Sequence, residues 1–237
     1  MKKLILPAFL FFILSLLANP CLAADPLTAI DILLEPDDTM VAQAHADNAR
    51  LRENYPEGFA LDATHVPHIS VLQCYVHTND LDKVFAAVRR VINAQKPLGM
   101  ELKTAGYFAA PWAGLGLAGI TVMPTPQLRK YQEAILSAVS PFIARDGTVA
   151  ALVPNEDGKP SDETIASYIN TFASRQTGKN YSPHVTIGLG REDFAREMTA
   201  ASYTSFTFKI KDVGIYQLGD YGTARKKLWP SSQGYRS

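Results

Sequence analysis

Pro67-His68-Ile69-Ser70-Val71 and Pro183-His184-Val185-Thr186-Ile187 are one phrase written twice: proline, histidine, aliphatic, hydroxyl, aliphatic. On an extended chain, side chains two apart share a face. Each copy therefore presents its histidine and hydroxyl on one side and its two aliphatics on the other. His68 and His184 lie 116 positions apart in the 237-residue chain, one in each half. With five histidines, a bare His-x-Ser/Thr is expected about once by chance. Requiring the proline and both aliphatics lowers that to on the order of 0.01 per chain, so the repetition is itself the signal. Two ordinary strands, each with a half-exposed histidine, would leave it without a cause.

The flanking sequence supplies a layout for the two copies. Residues 27–34 are an apolar run closed by Glu35-Pro36 and predict a strand. Asp37, Asp38 and Thr39 can cap a helix running from Met40 to about Glu53. The first motif strand covers about 66–76. Thr78-Asn79-Asp80 then opens a helix whose Leu81, Val84, Phe85, Val88 and Ile92 form an apolar stripe. Strands follow at 100–107 and 114–123, around a turn at Pro111-Trp112-Ala113-Gly114. In the second half, Leu128, Tyr131, Ile135 and Val139 align on a helix over 127–139. Residues 146–162 read as an exposed insertion, 163–173 as a helix, and 178–182 as the approach to the second motif strand. A helix at 192–201 and strands at 206–210 and 213–218 close the chain. Each half thus runs helix, motif strand, helix, two strands. That is a duplicated α+β layout with antiparallel strands, with lobes at roughly 25–123 and 124–237.

The chain starts Met1-Lys2-Lys3, continues with an apolar run over 4–17 and reaches small residues around Cys21-Leu22-Ala23-Ala24. This reads as a secretory signal peptide over 1–24, cleaved after Ala23 or Ala24, with an apolar core too short for a membrane span. A lipoprotein signal with Cys21 as the lipidated residue is the alternative, for which Asn19-Pro20 is a poor context. The expectation is a periplasmic or secreted protein with no stable membrane association after cleavage. About 213 residues remain, enough for one domain over 25–237 with its own core. The leader carries two of the 23 basic residues against 23 acidic ones, so the mature chain sits at about −2. Without a polybasic face, tight binding to long nucleic acid is not favoured. A small nucleotide or short oligonucleotide is the partner in scope. Cys74 is then the only cysteine and sits in an apolar run, which excludes an intrachain disulfide and a cysteine-based zinc cluster and reads as a buried thiol.

The doubled motif resembles the signature of the 2H phosphoesterase superfamily, which includes bacterial 2′,5′ RNA ligase-like proteins and cyclic nucleotide phosphodiesterases. Its hallmark is two His-x-Ser/Thr motifs, each on a strand, about half a domain apart. The resemblance is specific at the two motifs and covers most of the mature chain in layout. It implies a two-lobe α+β fold, with antiparallel sheets forming a central cleft and helices outside. It also implies hydrolysis of 2′,3′-cyclic nucleotides, or of RNA ends and short 2′,5′-linked oligonucleotides.

The residue chemistry agrees. Histidine titrates near neutrality, so of two histidines one can act as base and the other as acid. His68 and His184 are the expected catalytic pair: one deprotonates water, the other protonates the departing ribose oxygen. The sequence leaves open which is which. Ser70 and Thr186 are the expected phosphate-binding residues, donating to the non-bridging oxygens. No metal and no cofactor is called for. Tyr181, Phe108 and Trp112 are candidate stacking surfaces for a base, with core or turn packing as the alternative. Lys179 and Arg191 flank the second motif strand and either steer an anion or form a solvated face. His65 falls outside the repeat and reads as a rim or structural residue, while His45 and His77 read as solvated. Pairing His65 with His68 on zinc lacks a His-Glu-x-x-His spacing. The glycine-rich run 114–119 loosely resembles a phosphate loop but lacks the following Lys-Ser/Thr. Two other readings stand beside the phosphodiesterase. One is a non-catalytic periplasmic binding protein for a phosphorylated nucleotide-like ligand, which would not need two opposed titratable groups. The other is a metal-dependent hydrolase.

Overall fold

The apolar run after Pro26 forms β1 (Leu27–Pro36), which pairs antiparallel with β2 (Ile69–His77) on one side and β7 (Thr207–Leu218) on the other. Paired on both edges and buried along nearly its whole length, β1 has no wet face, so its sequence is almost continuously apolar instead of alternating. The computed structural model describes residues 25–230; the expected leader at 1–24 lies outside the described residues.

Among the described residues, eight strands build two antiparallel layers. One contains β1, β2, β7, the edge strand β8 (Ala224–Pro230), and the two-residue β5 (Ile143–Ala144), which pairs β2. The other contains β3 (Glu101–Trp112), β4 (Leu115–Val122) and β6 (His184–Gly190). The layers join where Glu101, Lys103 and Leu102 of β3 pair with the start of β7. They meet again at one residue pair, Ile69 with Val185, between β2 and β6. Elsewhere β2 and β6 do not pair, and the cleft opens there. The layers are not the halves 25–123 and 124–237: each takes strands from both halves, so the fold is threaded across the sequence midpoint.

Helices cover the outer faces. α1 (Asp38–Asn54) packs on β6, and α4 (Glu163–Arg175) packs on β2. α5 (Glu192–Ala200) covers β3 and β4, and α2 (Leu81–Gln95) packs beside α3 (Pro126–Val139). Their starts follow capping chemistry. Asp37 accepts from the Thr39 amide at 3.1 Å, Asp162 from Thr164 at 2.7 Å, and Thr125 from Leu128 at 3.1 Å. Among the described residues no helix is long and apolar enough to cross a membrane.

Four features differ from the sequence expectation. The two expected strands at 206–210 and 213–218 are one strand, β7, starting at Thr207, because Lys211 is the extra residue of a bulge and not a turn: Glu35 faces Asp212 while Pro36 faces Ile210. β8 is absent from the sequence reading. As an edge strand paired only to β7, it carries Arg225, Lys226 and Lys227, a composition that protects an edge but hides a strand. The insertion at 146–162 is exposed over 156–160 and at scattered positions before that, but not throughout. Ala151 and Leu152 are buried with Tyr75, Ile165, Ile169 and Leu218 in a second core cluster. The expected turn at 111–114 narrows to Ala113-Gly114, whose φ values of 48° and 81° suit a two-residue hairpin loop of the primed kind.

Candidate active site

The single pair Ile69–Val185 fixes how the two copies of the phrase meet. In antiparallel register it sets His68 across from Thr186 and Ser70 across from His184. Ile69, Val71, Val185 and Ile187 are completely buried. His68, Ser70, His184 and Thr186 line one cavity of about 140 Å³. Smaller recesses on either side are bordered by the cross-strand pairs, Ser70 with His184 and His68 with Thr186. Each imidazole is therefore neighboured by the other motif's hydroxyl.

Both rings are held in the same way. Nδ1 of His68 bonds the Val66 carbonyl at 2.6 Å, and Nδ1 of His184 bonds the Ser182 carbonyl at 2.8 Å. The intervening residue is Pro67 or Pro183. A proline biases the residue before it toward extended backbone, and here that residue's carbonyl receives the ring. The proline in the phrase thus has a physical role. With Nδ1 donating to backbone, Nε2 is the nitrogen left to meet a ligand in either protonation state. His68 lies just before β2 instead of on it.

The surroundings of the two rings differ. Asp31, completely buried in β1, accepts at Oδ2 from Ser70 Oγ at 2.5 Å and from Gln73 Nε2 at 3.0 Å. The same oxygen lies 3.4 Å from His68 Nε2. Burial alone would push His68 below the ordinary imidazole range; Asp31, by contact and by charge, and the Val66 carbonyl outweigh it and raise the ring. His184 is lowered by burial and by His68, with the Ser182 carbonyl and, from farther off, the Asp31 charge opposing. Ser70 was expected to donate to a phosphoryl oxygen. Instead its proton goes to Asp31, and its oxygen accepts from Gln73 Nε2 at 3.1 Å. Thr186 makes no side-chain hydrogen bond among the described residues and borders the cavity with its hydroxyl uncommitted.

The cavity walls are aromatic. Phe108 sits edge-on to His184, with ring centroids 4.6 Å apart at 68°. Trp112 and Tyr168 also line the space, as does Tyr221, whose ring lies 6.0 Å from Trp112 and 5.9 Å from Phe59. Tyr221 has φ of 59°, a left-handed conformation costing about 1 kcal/mol. Asp220 holds that turn, accepting from the Tyr221 amide at 3.1 Å and the Thr223 hydroxyl at 2.7 Å. Tyr181 does not serve as a stacking surface: it is 4% exposed, and its hydroxyl donates to the Ser70 carbonyl at 3.0 Å. That bond ties the approach to β6 onto β2. Lys179 and Arg191 are exposed and do not line the cavity. His65 stacks on Phe59 and meets Arg225 Nη1 at 3.2 Å, a rim position; His45 and His77 are exposed. Among the described residues, no three His, Cys, Asp or Glu side chains form a metal-ligating group.

Asp31, Gln73, Tyr168 and Tyr221 belong to the site but lie outside the repeated phrase. Asp31 left one signal, a lone acid inside an eight-residue apolar run. Tyr221 left a fainter one, the turn-forming Asp-Tyr-Gly. Gln73 and Tyr168 left none.

A layered α+β fold with two His-x-Ser/Thr strands meeting at one cleft defines a 2H-type phosphoesterase. Residues 37–222 match the family described as the 2'-5' RNA ligase superfamily, and the chain belongs to it. Membership places it among phosphoesterase- and ligase-type enzymes of small RNA or nucleotide substrates. The crystal structure of TT0787 of Thermus thermophilus is similar, with a TM-score of 0.49 and 12% identity over 86% of this chain and 96% of that one. The structure of E. coli LigT in apo form gives 0.43 and 12% over 86% and 97%. No curated protein matches the sequence.

Proposed function

We propose that this protein is a metal-independent phosphodiesterase that hydrolyses 2′,3′-cyclic nucleotides or short RNA and 2′,5′-linked phosphodiesters by two-histidine acid–base catalysis. The observation that carries this reading is that two imidazoles from separate strands line one small cavity, each with Nδ1 anchored to backbone. Pure capture of a phosphorylated ligand would not require two opposed titratable groups.

The lining narrows the substrate. Among the described residues no Lys, Arg, Asp or Glu side chain borders the cavity, and four aromatic rings do. A charged imidazole beside the buried Asp31 carboxylate gives a site near electrical neutrality. Such a site suits a monoanionic diester carrying a base to stack, and suits poorly the dianionic monoester product. The test is turnover of a panel of 2′,3′-cyclic nucleotides and short 2′,5′-linked oligonucleotides, with and without chelator. Turnover is expected to persist in chelator, with product monophosphates competing weakly. Binding without hydrolysis would favour the binding-protein reading instead. Loss in chelator with rescue by zinc would favour the metal-dependent one.

Export belongs to the same proposal. The intact mass of the protein from an extracytoplasmic fraction is expected to match a chain beginning at residue 24 or 25. A full-length cytoplasmic protein would contradict it.

A further inference from the structure

The two motifs are equivalent in sequence but not in structure, and the difference is one carboxylate. Asp31 sits at 0% exposure between Ile30 and Ile32 of β1. A carboxylate in that position is tolerated only with strong partners, and all of its partners come from the first motif and the strand that continues it. Ser70, Gln73 and His68 converge on one oxygen at 2.5, 3.0 and 3.4 Å. A hydroxyl has one proton, and that of Ser70 is given to Asp31. The second motif has no such partner: His184 meets only the Ser182 carbonyl and the Phe108 ring, and Thr186 is uncommitted.

We propose that Asp31 is a positioning residue that makes the two histidine motifs unequal. It holds His68 as the proton-donating acid and engages Ser70 as its own tether, leaving His184 as the base and Thr186 as the motif hydroxyl that meets the phosphate. The inference rests on the phosphodiesterase reading above. At 3.4 Å the Asp31–His68 contact is longer than the about 2.8 Å of a tight charge-assisted bond. The carboxylate therefore favours the charged ring by contact and by charge without gripping the Nε2 proton in a tight bond. The charged and titratable groups acting on His68 are Asp31 and Glu35 from β1 and His184 from β6. Raising one ring and lowering the other sets an acid and a base in their working forms near neutral pH.

The step balances as follows. His184 Nε2 takes a proton from water as the water oxygen bonds phosphorus. The bond from phosphorus to the ribose oxygen breaks, and that oxygen takes the Nε2 proton of His68. His184 ends charged and His68 neutral, and exchange with solvent resets both.

The test is the pH profile of kcat/KM on a 2′,3′-cyclic nucleotide for the wild type, Asp31→Asn, Ser70→Ala and Thr186→Ala. The alkaline limb reports His68 and the acid limb His184. Asp31→Asn is expected to bring the alkaline limb down, a loss that grows with pH and reaches about tenfold near pH ~8. Thr186→Ala is expected to cost about 100-fold at every pH with neither limb moved, and Ser70→Ala less than about tenfold. An alkaline limb indifferent to Asp31→Asn overturns the proposal. If that variant does not fold, equal losses in Ser70→Ala and Thr186→Ala overturn it. NMR titration of the His68 ring in Asp31→Asn needs no turnover and separates the two readings. A protein that cleaves no phosphodiester, yet whose His68 titrates lower in the variant, loses the activity and keeps the Asp31 coupling. A protein that cleaves diesters while His68 titrates unchanged loses the Asp31 coupling alone.

Discussion

His68→Ala and His184→Ala are each expected to lower kcat/KM on a 2′,3′-cyclic nucleotide by about 10³-fold, within the range of a lost general acid or base. The two variants should part company when the leaving group changes. A ribose alkoxide is strongly basic and needs a proton as it departs; a nitrophenolate does not. On a nitrophenyl phosphodiester, His68→Ala should therefore act within about tenfold of the wild type, while His184→Ala should remain about 10³-fold down, because water still has to lose its proton. The physical ground is the environment of the rings: His68 in contact with a buried carboxylate, His184 half-buried with no carboxylate in contact. A pH profile alone does not distinguish the roles, since exchanging acid and base gives the same two limbs. The leaving-group comparison does. Equal loss in both variants on both substrates would remove the acid assignment, and full activity in either variant on the cyclic nucleotide would remove the two-histidine mechanism.

What the sequence showed and what it hid follow from the range of the interactions. His68, Ser70, His184 and Thr186 were legible because they lie within one local, repeated phrase whose alternation already implies a shared face. Helices α1 to α5 were legible because capping and periodicity are also local. Three features were not legible because they depend on pairing between residues far apart in the chain. β8 is a strand only because β7 offers it an edge. Lys211 is a bulge and not a turn only because β1 runs past it. Asp31 looks like an imperfection in a strand until Ser70, Gln73 and His68, some 40 residues on, arrive on its oxygen. Tyr181 erred in the opposite direction. Its position three residues before His184 suggested the cleft, yet the approach to β6 turns the ring into the core.

The glycine-rich run 114–119 also gains a meaning the sequence did not give it, and this leads to the second large expected effect. Gly119 lies on β4 between Phe108 of β3 and Thr186 of β6, paired to both. A methyl group there would stand 2.2 Å from Phe108 Cε1 and 2.8 Å from the Val185 carbonyl. The ring of Phe108 crosses that vacant space and places its contact against His184, 4.6 Å between centroids. Gly119→Ala must push the ring, the Val185 backbone, or both. Overpacking of this kind costs about 1–3 kcal/mol, and a shift of about 1 Å at a catalytic group can cost about 100-fold in rate. Gly119→Ala is therefore expected to lower Tm and to reduce kcat by about 100-fold, although Gly119 bears no reactive atom. Phe108→Ala in the same chain removes the ring half of the clash. The double variant should then be more stable than the sum of the two single losses predicts, by about 1 kcal/mol or more. Strictly additive losses, or a Gly119→Ala enzyme of normal kcat, would mean that His184 does not depend on Phe108 for its place.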